Sequence, residues 1–280
     1  MPVWSDWYRP PVSVSPCVLD GPAEIGAEVA ALIVDRYLGR TPGHPFLLGC
    51  PGGRSLSSSY AHLAGLVATG DLDLSDLVVV MMDEYVERTA DGFRAVHPDL
   101  PHSCHRFGRT EIVQRLNAGR PEHRRIPAAG LWLPDPVHPD AYEERIAAAG
   151  GVDLFLLASG AGDGHVAFNP PGTEPAARTR VVELPDSTRR DNLATFPTFG
   201  GDLDAVPHYG VTVGVGTIRD CSAEVVMVVH GADKTRAAQR LSDATAYEPD
   251  WPATVWVECR NPQLYLDRAA ASQTAPAVTD

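Results

Sequence analysis

The run Leu77-Val78-Val79-Val80-Met81-Met82 is apolar at every position. A strand with one wet face alternates polar and apolar residues, so this one must be covered on both faces. Runs 152–158 and 224–229 are nearly as apolar, and 46–48, 131–133, 209–215 and 254–258 read as further strands. Helical patterns lie between them. Asp20 is placed to cap a helix with Pro22 in its first turn and Ile25, Val29, Leu32 and Ile33 on one face. Tyr60, Leu63 and Val67 mark a second helix, 110–116 a third, and Pro139-Asp140 opens a fourth through Ile146, closed by Gly150-Gly151. Covered strands alternating with helices predict an α/β fold of right-handed βαβ units, with a mainly parallel sheet between helical layers. The 280 residues allow one large domain or two small ones. With no repeat and no low-complexity linker, a single domain over 1–280 is expected, its Ala-, Thr- and Ser-rich tail 269–280 flexible.

Composition narrows the function. A 44% hydrophobic and 21% charged chain is neither disordered nor a coiled coil as a whole. No apolar run approaches the ~18 residues of a membrane span, and residues 1–11 lack a basic start followed by an apolar stretch. Cys17, Cys50, Cys104, Cys221 and Cys259 form no CxxC pair, which fits a reduced, cytoplasmic compartment. A net charge of −13 argues against nucleic acid as the partner.

In an open parallel sheet, ligands bind beyond the carboxyl ends of the strands. Three strand ends here carry unusual polar segments. Gly49-Cys50-Pro51-Gly52-Gly53-Arg54-Ser55 is either a tight βα turn or an anion cradle, with Gly52 and Gly53 exposing amides and Arg54 and Ser55 completing it. It lacks the GxxxxGK[ST] pattern. In Met82-Asp83-Glu84-Tyr85 the adjacent carboxylates follow an apolar strand, where Asp83 and Glu84 read either as acid/base groups raised by desolvation or as a helix cap. Ser159-Gly160-Ala161-Gly162-Asp163-Gly164-His165 is either a surface turn with an incidental histidine or an acid/base pair, in which Asp163 orients His165 and glycines such as Gly164 permit close substrate approach. His97, His102, Cys104 and His105 fit no metal-ligand spacing and read as a histidine-bearing loop over the site. No GxSxG elbow or GxGxxG fingerprint occurs. Lys234 starts a helix after Gly231, where it either reaches an anion or stands in solvent.

Together these segments resemble the glucosamine-6-phosphate deaminase/isomerase family, which shares its fold with 6-phosphogluconolactonases. The motifs run in order from 46 to 266. They are Leu48-Gly49-Cys50-Pro51-Gly52-Gly53, Met82-Asp83-Glu84-Tyr85-Val86, His102-Ser103-Cys104-His105-Arg106-Phe107, Gly162-Asp163-Gly164-His165-Val166-Ala167-Phe168-Asn169, Ala177-Arg178-Thr179-Arg180 and Thr212-Val213-Gly214-Val215-Gly216-Thr217-Ile218. The resemblance implies a Rossmann-like three-layer α/β/α fold and chemistry on a phosphorylated amino sugar. By it, His165 opens the pyranose ring with Asp163 in support, and Asp83 carries a proton between C2 and C1. Lys234 and the glycine loop hold the phosphate. Such an isomerisation needs a base and an acid but no metal or organic cofactor. The implied partner is a small-molecule sugar phosphate, and the resemblance is compatible with a homo-oligomer.

Departures from the family pattern are specific. The glutamate that follows Phe-Asn in the deaminases falls at Pro170, with Glu174 as a candidate substitute. A phosphate-binding arginine falls at Ala194, near Arg189 and Arg190, and an allosteric-site lysine falls at Val182. The favoured reading is an aldose–ketose isomerase or deaminase of an amino-sugar phosphate. The alternatives are a 6-phosphogluconolactonase-like hydrolase and a non-catalytic sugar-phosphate-binding protein.

Overall fold

The all-apolar runs form the middle of one sheet. The structure, a computed structural model, describes residues 14–274. In chain order its elements begin with β1 (Cys17–Leu19), α1 (Pro22–Leu38), β2 (Phe46–Cys50), α2 (Ser57–Thr69), β3 (Leu77–Met81), β4 (Asp83–Thr89) and β5 (Gly92–Ala95). A helical segment follows, α3 (Cys104–Phe107), a π-turn (Gly108–Val113) and α4 (Gln114–Asn117). The chain continues through β6 (Leu131–Trp132), α5 (Pro139–Ala148), β7 (Leu154–Ala158), β8 (Arg180–Glu183) and α6 (Asp186–Thr195). It ends with β9 (Tyr209–Thr212), α7 (Val215–Cys221), β10 (Val225–Val229), α8 (Thr235–Asp243) and β11 (Pro262–Asp267).

Seven strands pair in parallel in the order β1-β11-β10-β7-β2-β3-β6. Alternate residues of each strand point to opposite faces, so the sheet carries two cores. Val80, Phe155, Leu157, Val225 and Met227 pack with Ile146, Leu241 and Trp256 on one side. Leu48, Val79, Leu154, Leu156 and Val226 pack with Ile33, Tyr60 and Leu63 on the other. This is the expected three-layer α/β/α arrangement. Asp153, the polar exception in run 152–158, is exposed and accepts the Leu47 amide at 2.7 Å.

Gly49, in the middle of β2, has no room for a side chain: a Cβ there would lie 2.0 Å from the Phe155 ring. Gly49→Ala therefore forces the ring or the strand to move and is expected to cost about 1–3 kcal/mol. Urea unfolding of the variant against the parent checks this.

The structure corrects several expectations. Strand 209–215 ends at Thr212 and belongs to a second, antiparallel sheet of order β5-β4-β9-β8. Run 254–258 is a 3₁₀ segment, Pro252–Glu258, whose Val255, Trp256 and Val257 pack into the core. The place beside β10 in the sheet is taken by β11 instead. The cap of α1 is Gly21 rather than Asp20, whose carboxylate pairs with Arg268. In the tail, residues 270–273 form a 3₁₀ turn with Ala270 fully buried, while 275–280 lie outside the described residues, as does the segment 1–11 read for a leader. No helix among the described residues is long and apolar enough to cross a membrane.

Candidate active site

The sheet order reverses between β2 and β7. From β2 the chain passes through α2 to β3 on one side, while β7 borders β10 on the other. Such a switch point leaves a crevice beyond the strand ends. A cavity of about 400 Å³ opens there, lined by the segments that follow β2, β3, β7 and β10 and by one face of α6.

After β2, residues Gly52, Gly53, Arg54 and Ser55 all line the cavity. Gly53 has φ +91, so the turn itself requires glycine. The tight-turn reading therefore holds, and the turn faces the cavity.

After β3, the chain leaves the main sheet and Asp83 opens β4. Neighbouring side chains on a strand point oppositely, and the two carboxylates separate accordingly. Asp83 lines the cavity and is 6% exposed; burial raises it to about 7, with Glu84 adding and the Cys104 hydrogen bond and His165 opposing. Glu84 does not line the cavity. It accepts the Cys104 amide at 2.8 Å, the His105 amide at 2.9 Å, the Ser103 hydroxyl at 2.9 Å and the Tyr85 amide at 2.9 Å. Burial still holds Glu84 above the usual carboxylate range against those bonds. The capping role weighed for this pair therefore falls to Glu84, which anchors the start of α3.

After β7, Asp163 Oδ1 lies 2.7 Å from His165 Nδ1 and also accepts the His165 amide at 3.1 Å. Its Oδ2 accepts the hydroxyls of Ser187 at 2.7 Å and Thr188 at 3.0 Å. Burial alone would raise Asp163, but His165 and Ser187 outweigh it and hold the carboxyl well below its usual range. An ionised Asp163 has only lone pairs to offer, so Nδ1 carries the proton and Nε2 is left for other partners. The fit is close: a Cβ on Gly160 would lie 2.2 Å from His165 Nδ1. Gly164 does not reach the cavity wall; its φ is +66 and a Cβ there would lie 2.2 Å from the Trp251 ring, so the position requires glycine for packing and backbone geometry.

After β10, His230 and Lys234 line the cavity, and Lys234 Nζ donates to the Ser159 carbonyl at 2.7 Å. Burial lowers Lys234, opposed by the carboxylates of Asp191, Asp233 and Asp163.

Other candidates lie elsewhere. His102 is not at the cavity; it lies tilted against Phe199 at 4.8 Å and edge-on to Tyr85 at 5.5 Å, and burial lowers it. Glu174 is exposed outside the cavity, so it does not stand in for the charge absent at Pro170. Arg189 is tied to Asp186 and the Leu203 and Val206 carbonyls, whereas Arg190 does line the cavity.

Reading the sequence missed the α6 face. Asp191, Asn192 and Thr195 line the cavity, and Asp191 accepts the Ala161 amide at 3.2 Å. With Asp163 and His165 it forms a group whose ligand-type atoms lie within 4.8 Å of one another. Both Asp163 oxygens in that group already accept hydrogen bonds. The available signal was Ser187, Thr188, Asp191 and Thr195 at helical spacing, a polar stripe that reads as a solvated face.

Residues 21–266 match the family described as glucosamine-6-phosphate isomerases/6-phosphogluconolactonase. A Beutenbergia cavernae relative named glucosamine-6-phosphate deaminase is 38% identical over 256 residues, covering 88% of this chain and 89% of its own. A Yersinia enterocolitica relative of the same name is 35% identical over 229 residues, covering 79% and 78%. Among solved structures, a monomeric glucosamine-6-phosphate deaminase superposes with a TM-score of 0.79 at 25% identity, covering 92% of this chain and 99% of that one. A 6-phosphogluconolactonase from Trypanosoma brucei superposes at 0.67 with 19% identity, covering 96% and 100%, a likeness of fold alone. The matched span takes in every strand end that builds the cavity, and the chain belongs to this enzyme family of glucosamine-6-phosphate isomerases and 6-phosphogluconolactonases.

Proposed function

We propose that the protein converts glucosamine 6-phosphate, or a closely related amino-sugar phosphate, to the ketose phosphate with release of ammonia. The observation that carries this reading is the pair of proton-transfer groups on one cavity: Asp83, raised by burial, and His165, oriented by Asp163. The names of the relatives support the same substrate.

In this reading His165 moves the proton from the sugar O1 hydroxyl to the ring oxygen as C1–O5 breaks and C1=O1 forms. Asp83 then takes the C2 proton, and the electron pair closes a C1=C2 enolamine as O1 gains a proton. Return of the proton to C1 leaves an iminium at C2. Water adds to that carbon, the C–N bond breaks, and ammonia and fructose 6-phosphate result. The glycine loop 52–55 and Lys234 hold the phosphate through amides and an ammonium.

A base must be ionised to act, so kcat/KM is expected to fall tenfold per unit as pH drops below about 7, the value to which burial raises Asp83. A pH–rate profile checks it. Lys234→Ala removes a charge-assisted contact of about 1.5–3 kcal/mol, so KM is expected to rise about 10- to 100-fold with kcat changed far less.

The direct test follows ammonia and fructose 6-phosphate separately from glucosamine 6-phosphate. Release of both supports the proposal. Neither product sinks it for this substrate, and ketose formation from glucose 6-phosphate instead, which has no nitrogen to lose, would reduce it to an isomerase. A second reading, lactone hydrolysis with His165 activating water, is favoured by Arg54 and Ser55 in the glycine loop and by Pro170 in place of a carboxylate. Turnover of 6-phosphogluconolactone without ketose formation would establish it.

A further inference from the structure

Cys104 opens α3 with its side chain against the proposed base. The residue is 5% exposed, lines the cavity, and its sulfur lies 3.2 Å from Asp83 Oδ1. Among the described residues it is the one side chain that hydrogen-bonds the Asp83 carboxyl. We propose that the Cys104 thiol is a positioning residue: its S–H holds Asp83 Oδ1 and leaves Oδ2 to exchange the proton between C2 and C1. The proposal rests on the reading of Asp83 as the base.

The thiol is suited to stay a donor. Burial pushes it well above its ordinary value, and the carboxylates of Asp83 and Glu84 push it further. A thiolate would face two carboxylates, whereas a neutral S–H can donate to one of them. The thiol is also aimed from behind. The Cys104 amide donates to Glu84 Oε1 at 2.8 Å, and the Ser103 hydroxyl and His105 amide donate to Oε2 at 2.9 Å each. One residue therefore bonds both adjacent carboxylates, Glu84 through its backbone and Asp83 through its side chain.

Several groups surround Asp83. Glu84 on β4 raises it, Cys104 on α3 and His165 after β7 lower it, and Tyr60, Tyr85 and Tyr142 feel its charge. Removing the S–H withdraws a bond that favours the ionised form. The acid limb of activity then moves toward higher pH.

The test compares kcat–pH profiles of the full-length enzyme and its Cys104→Ala, Cys104→Val and Cys104→Ser variants. The apolar variants should shift the acid limb up by about half a unit to one unit, with kcat about 3- to 10-fold lower at pH 6 and KM within about twofold. Serine restores an O–H donor and should return the limb to its parental position. Valine keeps the site filled if alanine alone does not fold. An unshifted limb in a folded apolar variant overturns the proposal, as does a serine profile that matches the apolar ones. Asp83→Asn is measured alongside. If it retains ketose formation, the reading of Asp83 fails; if it is inactive while the apolar variants are unshifted, the thiol's role alone fails.

Discussion

Asp83→Asn should abolish ketose formation, lowering kcat by about 10²- to 10⁴-fold, the span that a positioned general base contributes, while sparing lactone hydrolysis. The amide keeps the shape of the carboxyl and can still accept the Cys104 thiol, so the loss isolates the proton transfer. The same variant should be more stable than the parent. Burial raises the Asp83 carboxyl to about 7 in the folded chain, against an ordinary value of 3.8. A raised folded value means the folded state binds the proton more tightly, so this stabilisation is full below 3.8 and is lost as pH rises through about 7. At pH 8 the buried charge thus costs on the order of 4 kcal/mol. Asparagine removes the charge, and thermal unfolding should show a higher midpoint at pH 8 with the gain fading toward pH 4. An equally stable variant at pH 8 would show that Asp83 ionises in the fold without penalty. Unchanged ketose formation would remove it from the chemistry.

His165→Gln should also cost about 10²- to 10⁴-fold in kcat, through a different step. Glutamine can hydrogen-bond Asp163 but cannot shuttle a proton to the ring oxygen, so the substrate stays closed. An acyclic amino-alditol phosphate needs no ring opening, and its inhibition constant should stay within a few-fold of the parent's. Activity close to the parent's would end the ring-opening assignment. Weakened binding of the acyclic inhibitor, matching the activity loss, would make His165 a binding residue instead.

The central strands were legible because burial on both faces leaves no polar residue to mislead, as in 77–82 and 225–229. Run 254–258 carries the same signal and is not a strand. Val255, Trp256 and Val257 are buried in a 3₁₀ segment beside the sheet, and hydrophobicity reports burial rather than backbone geometry. Asp83, Asp163, His165 and the glycine loop stood out as polar groups directly after apolar runs. Asp191 did not, because its partners lie in a loop some 30 residues earlier and its helix is polar on the surface it turns inward. Cys104 was hidden among histidines, and only the fold brings its sulfur to Asp83.

The outermost pairing of the main sheet bears on how the chain comes to be folded during synthesis. Cys17 pairs with Tyr265, and β11 is what joins β1 to β10. A chain emerging amino end first therefore holds β1 without its partner until β11, some 245 residues later, has left the ribosome. Strands β2, β3 and β7 can assemble earlier, bringing the Asp83 and His165 segments together. Parallel pairing across such separations is slow, and β10 keeps a bare edge until β11 arrives, a template for association between nascent chains. The order of synthesis thus leaves the Lys234 end of the cavity to be secured last.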